Sequence, residues 1–174
     1  MSIVRVRNRA EYLLERLGIQ SSPVNVQGVA QRLGMCIVQA NLGEGVSGLL
    51  VNRAGVPIIC VQEADPKTRK RFTIAHEIGH HYLAHQFESG THVHVDHGNL
   101  VSFRNSRSTC GLDSKEIEAN QFAASLLMPS GLLKTRASEI VRGPLLDTHL
   151  GQLALEFAVS EQAMLIRLMT LELL

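Results

Sequence analysis

Residues 76–80 read His-Glu-Ile-Gly-His, with two histidines four positions apart and a glutamate beside the first. On an α-helix, positions i and i+4 lie on one face, one turn apart, so both imidazoles can reach the same metal ion. Glu77 lies about 100° around such a helix, where its carboxylate can reach a water molecule activated by the metal without being a ligand itself. The stretch predicts the core of a zinc hydrolase, with His76 and His80 as metal ligands and Glu77 as the catalytic base.

The residues around this motif predict a helix over 66–85. Asp65 precedes Pro66, and this pair is typical of a helix start, because a carboxylate can cap free N–H groups and proline fits the first helical position. Apolar side chains follow at helical spacings, with no further proline. Gly79 is a weak helix former, and its place between the two histidines lets another backbone approach closely.

Composition and charge restrict the class of protein. The chain has 174 residues, of which 45% are hydrophobic, and a formal net charge of +1. These values predict a folded core and no general attraction to nucleic acid or anionic membranes. No apolar run approaches the roughly 18 residues of a membrane span, and the N-terminus lacks the apolar segment of a signal peptide. Cys36, Cys60 and Cys110 form no C-x-x-C pair, so we expect reduced thiols in a cytoplasmic protein.

The order of the predicted elements indicates an α+β fold with a small antiparallel or mixed sheet. Residues 53–55, Arg-Ala-Gly, suit a hairpin turn between two strands. Pro57 indicates that one side of the second strand is an edge, or that the strand begins there. Helices are expected over 8–17, 26–33, 66–85, 114–128, 148–157 and 160–171, and strands over 35–40, 46–52 and 56–61.

A catalytic zinc usually has three protein ligands, so a third is expected outside the motif. A histidine ten residues after the first would be one solution, but Gln86 stands there. His85 is about 140° away from His80 around a continuous helix, so we expect it to point elsewhere. The next predicted helix offers Glu116 and Glu118, about 200° apart, and periodicity alone does not choose between them.

Two stretches carry a resemblance to a known family. Residues 71–80 read Arg-Phe-Thr-Ile-Ala-His-Glu-Ile-Gly-His, and residues 118–129 read Glu-Ala-Asn-Gln-Phe-Ala-Ala-Ser-Leu-Leu-Met-Pro. Together with the order of the remaining segments, they resemble the ImmA/IrrE family of metallopeptidases. The resemblance implies a cytoplasmic zinc-dependent enzyme related in its site to thermolysin-type peptidases. It also implies that Glu118, directly before Ala-Asn, is the third ligand.

The resemblance further implies a zincin-like metallopeptidase domain over 1–135, whose sheet packs on a helical core that carries the HExxH helix. A helix–turn–helix-like extension over 136–174 is expected to pack on this domain. Zn²⁺ is the expected cofactor, with Mn²⁺ and Fe²⁺ as alternatives.

Several members of the family cleave a helix–turn–helix repressor encoded beside them. The expected function is therefore site-specific cleavage of such a transcriptional repressor, without direct binding of nucleic acid or membrane. The alternative is a protein-interaction or DNA-binding regulatory module whose metal site does not cleave. Residues 161–168 carry one basic residue, fewer than a major-groove reader normally has.

The sequence leaves open which group stabilises the oxyanion formed during attack. Thr73, one turn before His76, is a candidate for a hydrogen bond that supports a ligand. Tyr82 is six residues past His76, off the ligand face, and its position indicates packing in the core. The candidates for the oxyanion are Tyr82, His94, His97 and Arg104.

Overall fold

The computed structural model of the chain describes residues 1–85, 93–96, 112–140 and 146–174. The fold within these ranges is α+β, as the sequence predicts. The helices are α1 (Ile3–Arg16), α2 (Val26–Arg32), α3 (Lys67–Tyr82), α4 (Leu112–Leu127), α5 (Ser130–Ile140), α6 (Asp147–Phe157) and α7 (Glu161–Thr170). The strands are β1 (Cys36–Ala40), β2 (Gly48–Arg53), β3 (Val56–Gln62) and β4 (Val93–Asp96). Among these helices, none is long and apolar enough to cross a membrane.

The described strands form one mixed sheet in the order β1-β3-β2-β4. β1 runs parallel to β3, with Cys36 opposite Ile58. β2 is antiparallel to both β3 and β4. Cys36 and Cys60, on neighbouring strands, are free thiols.

The hairpin between β2 and β3 closes through a two-residue turn. Ala54 and Gly55 both have left-handed backbones, with φ of 51° and 83°, which is the requirement of a type I′ turn. Asn52 Oδ1 accepts a hydrogen bond from the backbone N–H of Gly55 at 2.9 Å. Pro57 is the second residue of β3 and precedes the part of the strand that pairs with β1, in agreement with its predicted place at a strand start.

Side-chain hydrogen bonds cap the N-termini of α2 and α7. Asn25 Oδ1 accepts from the backbone N–H of Gly28 at 3.0 Å, at the start of α2. Ser160 Oγ accepts from the backbone N–H of Ala163 at 3.2 Å, at the start of α7. Each bond satisfies one of the N–H groups that a first helical turn leaves without a partner.

The motif helix and the first helix differ from their predicted bounds. α3 begins at Lys67, with Pro66 as the cap residue and no side-chain cap, so the predicted roles of Asp65 and Pro66 are wrong. Pro66 keeps an extended backbone, with ψ of 153°, which is its ordinary polyproline conformation. α1 begins at Ile3 rather than residue 8, because Val6 extends its buried face by one turn.

A single hydrophobic core includes both the motif helix and the C-terminal helices. Arg167 of α7 is 1% exposed, and its Nε donates to the carbonyl oxygen of Met128 at 3.0 Å. Its Nη2 lies 3.7 Å from the carboxylate of Glu11. Burial lowers the pKa of Arg167 to about 10, so the guanidinium stays charged at neutral pH. The C-terminal helices contribute Leu153, Phe157, Met164 and Leu168 to the core.

α3 and α4 approach each other closely at Gly79. A Cβ atom on this glycine would lie 3.2 Å from Cβ of Phe122 and 3.3 Å from Cα of Ala119. The expectation that Gly79 admits another backbone is therefore confirmed. The approach places α4 directly against the helical turn that carries the two motif histidines.

β2 approaches α3 in the same way at Gly48. A Cβ atom there would overlap the γ-methyl of Thr73 and lie 3.4 Å from Glu77 Oε1. Gly48 is not among the residues with positive φ, so glycine is required for space rather than for a left-handed backbone. Thr73 is fully buried beneath the strand.

We predict that Gly48→Ala lowers the free energy of unfolding by about 1–3 kcal/mol, because the added methyl forces the strand away from a packed helix. Thr73→Ser removes the opposing γ-methyl, so the double variant should regain much of the loss. Denaturant unfolding of both single variants and the double variant measures this. Additive losses would show that the clash between these two groups is not the cause.

Candidate metal centre

α3 directs the two motif histidines to one point. The side chains of His76 and His80 are 3% and 0% exposed, and their Nε2 atoms lie 2.9 Å apart. The ring centroids are 4.5 Å apart, with an interplanar angle of 71°. The helical spacing of four residues produces this convergence, as the sequence predicts.

A carboxylate from α4 completes a group of three converging donors. Glu116 Oε2 is 3.2 Å from Nε2 of His76, and its Oε1 is 3.3 Å from Nε2 of His80. A tetrahedral zinc with bonds of about 2.0–2.1 Å needs donor atoms about 3.3 Å apart. Two imidazole nitrogens and one carboxylate at these separations fit such an ion and leave one coordination position for substrate or water.

Glu118, which the resemblance implied as the third ligand, lies at a different place. Its carboxylate contacts the amino group of Met1, and its Oε2 is 3.1 Å from Nε2 of His85. Burial raises the pKa of Glu118, but the hydrogen bonds from the amino group and His85 outweigh burial and lower it. The geometry favours Glu116 over Glu118, because these residues face different directions on α4, about 200° apart.

Asn120 lies on the face of α4 that meets the histidines. Its Oδ1 lies 2.9 Å from Nδ1 of His76. An amide oxygen only accepts, so Nδ1 carries the proton and the Nε2 lone pair is left for a metal. Glu116 and Asn120 are four residues apart, the same spacing as His76 and His80. This spacing is the sequence signal that would have identified Glu116.

The end of α3 brings His85 back to the site, contrary to the sequence expectation. The helix stops after Tyr82, and Ala84 takes a left-handed backbone with φ of 55°. The backbone N–H of His85 then donates to the carbonyl of His80 at 3.0 Å, and that of Ala84 to the carbonyl of His81 at 3.1 Å. This is a Schellman motif. The prediction for His85 is wrong because it assumed that the helix continues to residue 85.

His85 consequently contacts His80 directly. Its Nδ1 lies 2.9 Å from Nδ1 of His80, and the two ring centroids are 5.1 Å apart. Burial lowers the pKa of His85, although the carboxylate of Glu118 acts in the opposite direction.

Glu77 is buried between α3 and the sheet. The residue is 0% exposed, and its Oε1 is close to the backbone of Gly48 in β2. Cys60 of β3 also lies near it: burial raises the pKa of that thiol, and the charge of Glu77 raises it further. The carboxylate is not one of the grouped donor atoms.

Two other candidates from the sequence lie on α3 but do not join the group of donors. Tyr82 packs against Phe122, with ring centroids 5.5 Å apart, and the Arg9 guanidinium lies 5.2 Å from its ring centre. This agrees with its interpretation as a packing residue. Thr73 is buried one turn before Glu77, and its Oγ1 makes no hydrogen bond within the described part of the chain.

The remaining candidates lie in or beyond β4. His94 is in β4, opposite Leu50 of β2 in the register of the sheet. His97 and Arg104 lie outside the described residues, as does Cys110. Their predicted roles stay predictions.

Comparisons with known proteins identify a family and a similar fold. Residues 30–169 match the family model of the IrrE N-terminal-like domain, Peptidase_M78. A Mycobacterium tuberculosis transcriptional regulator has a similar solved structure, with a TM-score of 0.60 and 13% identity over 94% of this chain and 46% of that one. The chain thus spans about half the length of that regulator, and the likeness is one of fold. No match is found among curated proteins.

We predict that Ala84→Gly raises the free energy of unfolding by about 1 kcal/mol, because alanine is strained in the left-handed conformation that glycine adopts freely. The matched control is Ala163→Gly inside α7, where glycine should lower stability by a similar amount. Thermal or denaturant unfolding measures both. A loss of stability in both variants would contradict the role of Ala84 at the helix end.

We predict that Glu116→Ala abolishes zinc retention, whereas Glu118→Leu keeps it with weakened affinity. Loss of a residue that only supports a ligand typically costs about 10–100-fold in metal affinity, and removal of a ligand should exceed that range. Competition with a chromophoric chelator gives both affinities, and circular dichroism checks the fold. The opposite order of losses would return the third position to Glu118.

Proposed function

We propose that this chain, which belongs to the metallopeptidase family of IrrE N-terminal-like domains, is a zinc-dependent endopeptidase that cleaves a specific protein. The observation that carries this proposal is the convergence of His76, His80 and Glu116, with the buried Glu77 directly after His76 on the same helix. A purely structural zinc is normally closed by four protein ligands and needs no base beside it. Three converging ligands with a neighbouring carboxylate are the arrangement of a hydrolase.

The chemistry follows from the roles that these side chains can take. When bound, the metal supplies a Lewis acid that polarises the scissile carbonyl and acidifies the attacking water. Glu77 accepts a proton from that water as its oxygen bonds to the carbonyl carbon. Glu77 then donates the proton to the amide nitrogen as the carbon–nitrogen bond breaks, which yields a carboxylic acid and an amine.

We propose a helix–turn–helix transcriptional repressor, encoded close to this chain, as the substrate. The support is the resemblance of both sequence motifs to the ImmA/IrrE family, several of whose members act in this way. A transcriptional regulator shares the fold, but at 13% identity this likeness does not identify a substrate. Cleavage at a few sites suits an intracellular regulator better than general degradation, which would damage other proteins.

Direct reading of DNA by α7 has little support from the structure. Arg167 is the one basic residue of the segment 161–168, and its side chain is 1% exposed. The buried guanidinium is held by the carbonyl of Met128. A recognition helix needs long polar side chains that reach base edges or phosphates. The Arg167 side chain is instead buried in the core.

We predict that the purified chain cleaves the repressor encoded close to it when zinc is present, and that a chelator abolishes this cleavage. Added Zn²⁺, Mn²⁺ or Fe²⁺ after chelation then identifies the working metal. Mass spectrometry of the fragments should show one or a few cleaved bonds. Tight binding of the repressor without cleavage would instead favour an interaction module.

We predict that Glu77→Gln retains the metal and lowers the cleavage rate by about 10²–10⁴-fold, the usual contribution of a general base. Glu63→Gln, an exposed change just beyond β3, is the matched control and should cleave at the rate of the original chain. Metal content is measured on the same samples. Full activity of Glu77→Gln would refute the assigned role.

A further inference from the structure

Two buried residues behind the candidate metal centre have no part in the proposed reaction. The side chains of His85 and Glu118 are 7% and 11% exposed. Neither belongs to the three converging donors. Burial of an imidazole and a carboxylate is costly unless each is hydrogen-bonded, so their shared location calls for a physical reason.

The two residues form a continuous hydrogen-bonded chain to a proposed ligand. His80 Nδ1 is 2.9 Å from His85 Nδ1, and His85 Nε2 is 3.1 Å from Glu118 Oε2. An ionised carboxylate only accepts, so Nε2 of His85 carries a proton and donates it to Glu118. Nδ1 of a neutral His85 then accepts from Nδ1–H of His80. The lone pair of His80 is consequently on Nε2, the nitrogen that faces Glu116 and His76.

The backbone restricts the position of His85 as well. The Schellman motif at the end of α3 bonds the N–H of His85 to the carbonyl of His80 at 3.0 Å. The ring of His85 is therefore fixed to the same residue by both its backbone and its side chain. Glu118 comes from α4, so the chain of hydrogen bonds also joins the two helices that supply the proposed ligands.

We propose that His85 and Glu118 are positioning residues that hold the imidazole of His80 in the orientation and tautomer that bind the metal. This inference rests on the proposed metal centre and deepens it. Partners of this kind orient a ligand and strengthen its basicity, and their loss commonly costs about 10–100-fold in metal affinity. Asn120 does the same for His76 through a single bond, whereas His80 is held through two residues in series.

The test measures zinc affinity by chelator competition in His85→Phe, His85→Asn and the original chain. Phenylalanine fills the space without a hydrogen-bonding group, and we expect it to weaken zinc binding by about 10–100-fold. Asparagine keeps an acceptor near the position of Nδ1 and should recover part of the loss. His149→Phe, in α6, controls for the removal of a histidine elsewhere and should bind zinc like the original chain.

Thermal unfolding of the metal-free proteins separates positioning from a merely structural role. Positioning predicts that His85→Phe and His85→Asn unfold at similar temperatures without zinc but differ in zinc affinity. Equal affinities of His85→Phe and the original chain would overturn the proposal, as would a loss of affinity that asparagine does not reduce at all.

A double-variant cycle tests whether Glu118 acts through His85. Glu118→Leu should weaken zinc binding in the original chain but have little further effect in His85→Phe. Additive losses would contradict the series arrangement. These readouts do not depend on cleavage: a chain that binds zinc with this pattern but cuts no repressor would refute the proposed substrate and leave the positioning role intact.

Discussion

The candidate metal centre depends on the contact between α3 and α4 at Gly79. Because this position has no side chain, the backbone of α4 at Ala119 lies within van der Waals distance of the helix that carries both histidines. Glu116 and Asn120, one turn apart on the facing side of α4, then reach Nε2 and Nδ1 of the imidazoles. A side chain at position 79 would act against this approach, and the third donor would be displaced from the other two.

Hydrogen bonds behind the two motif histidines restrict which ring nitrogen carries the proton. Two buried histidines without fixed partners could each protonate either nitrogen, and one tautomer of each ring cannot bind a metal through Nε2. Asn120 fixes His76, and His85 fixes His80. The polar groups that the fold buries here are thus satisfied by one another, which offsets the cost of removing them from water.

Much of the site could be predicted from the sequence because its signals are local. The spacing of His76 and His80 needs only a helix to bring the rings together, and the structure has that helix. The third donor could be identified only from the orientation of α4. Periodicity left Glu116 and Glu118 open. The resemblance favoured Glu118, whereas the geometry favours Glu116. The position of His85 was missed because Ala84, which rarely adopts a left-handed backbone, gives no sign of a helix end.

The sequence by itself determined the family, the α+β class and the motif in which Glu77 accompanies two histidines, since these depend on residue types at short spacings. Only the tertiary structure decided that Glu116 faces the histidines, that Glu118 and His85 lie behind them, and that the basic residue of α7 is buried. These features join segments far apart in the chain, so they depend on how closely and in which rotation helices pack. One-dimensional spacing contains no information about that rotation until the partner helix is in place.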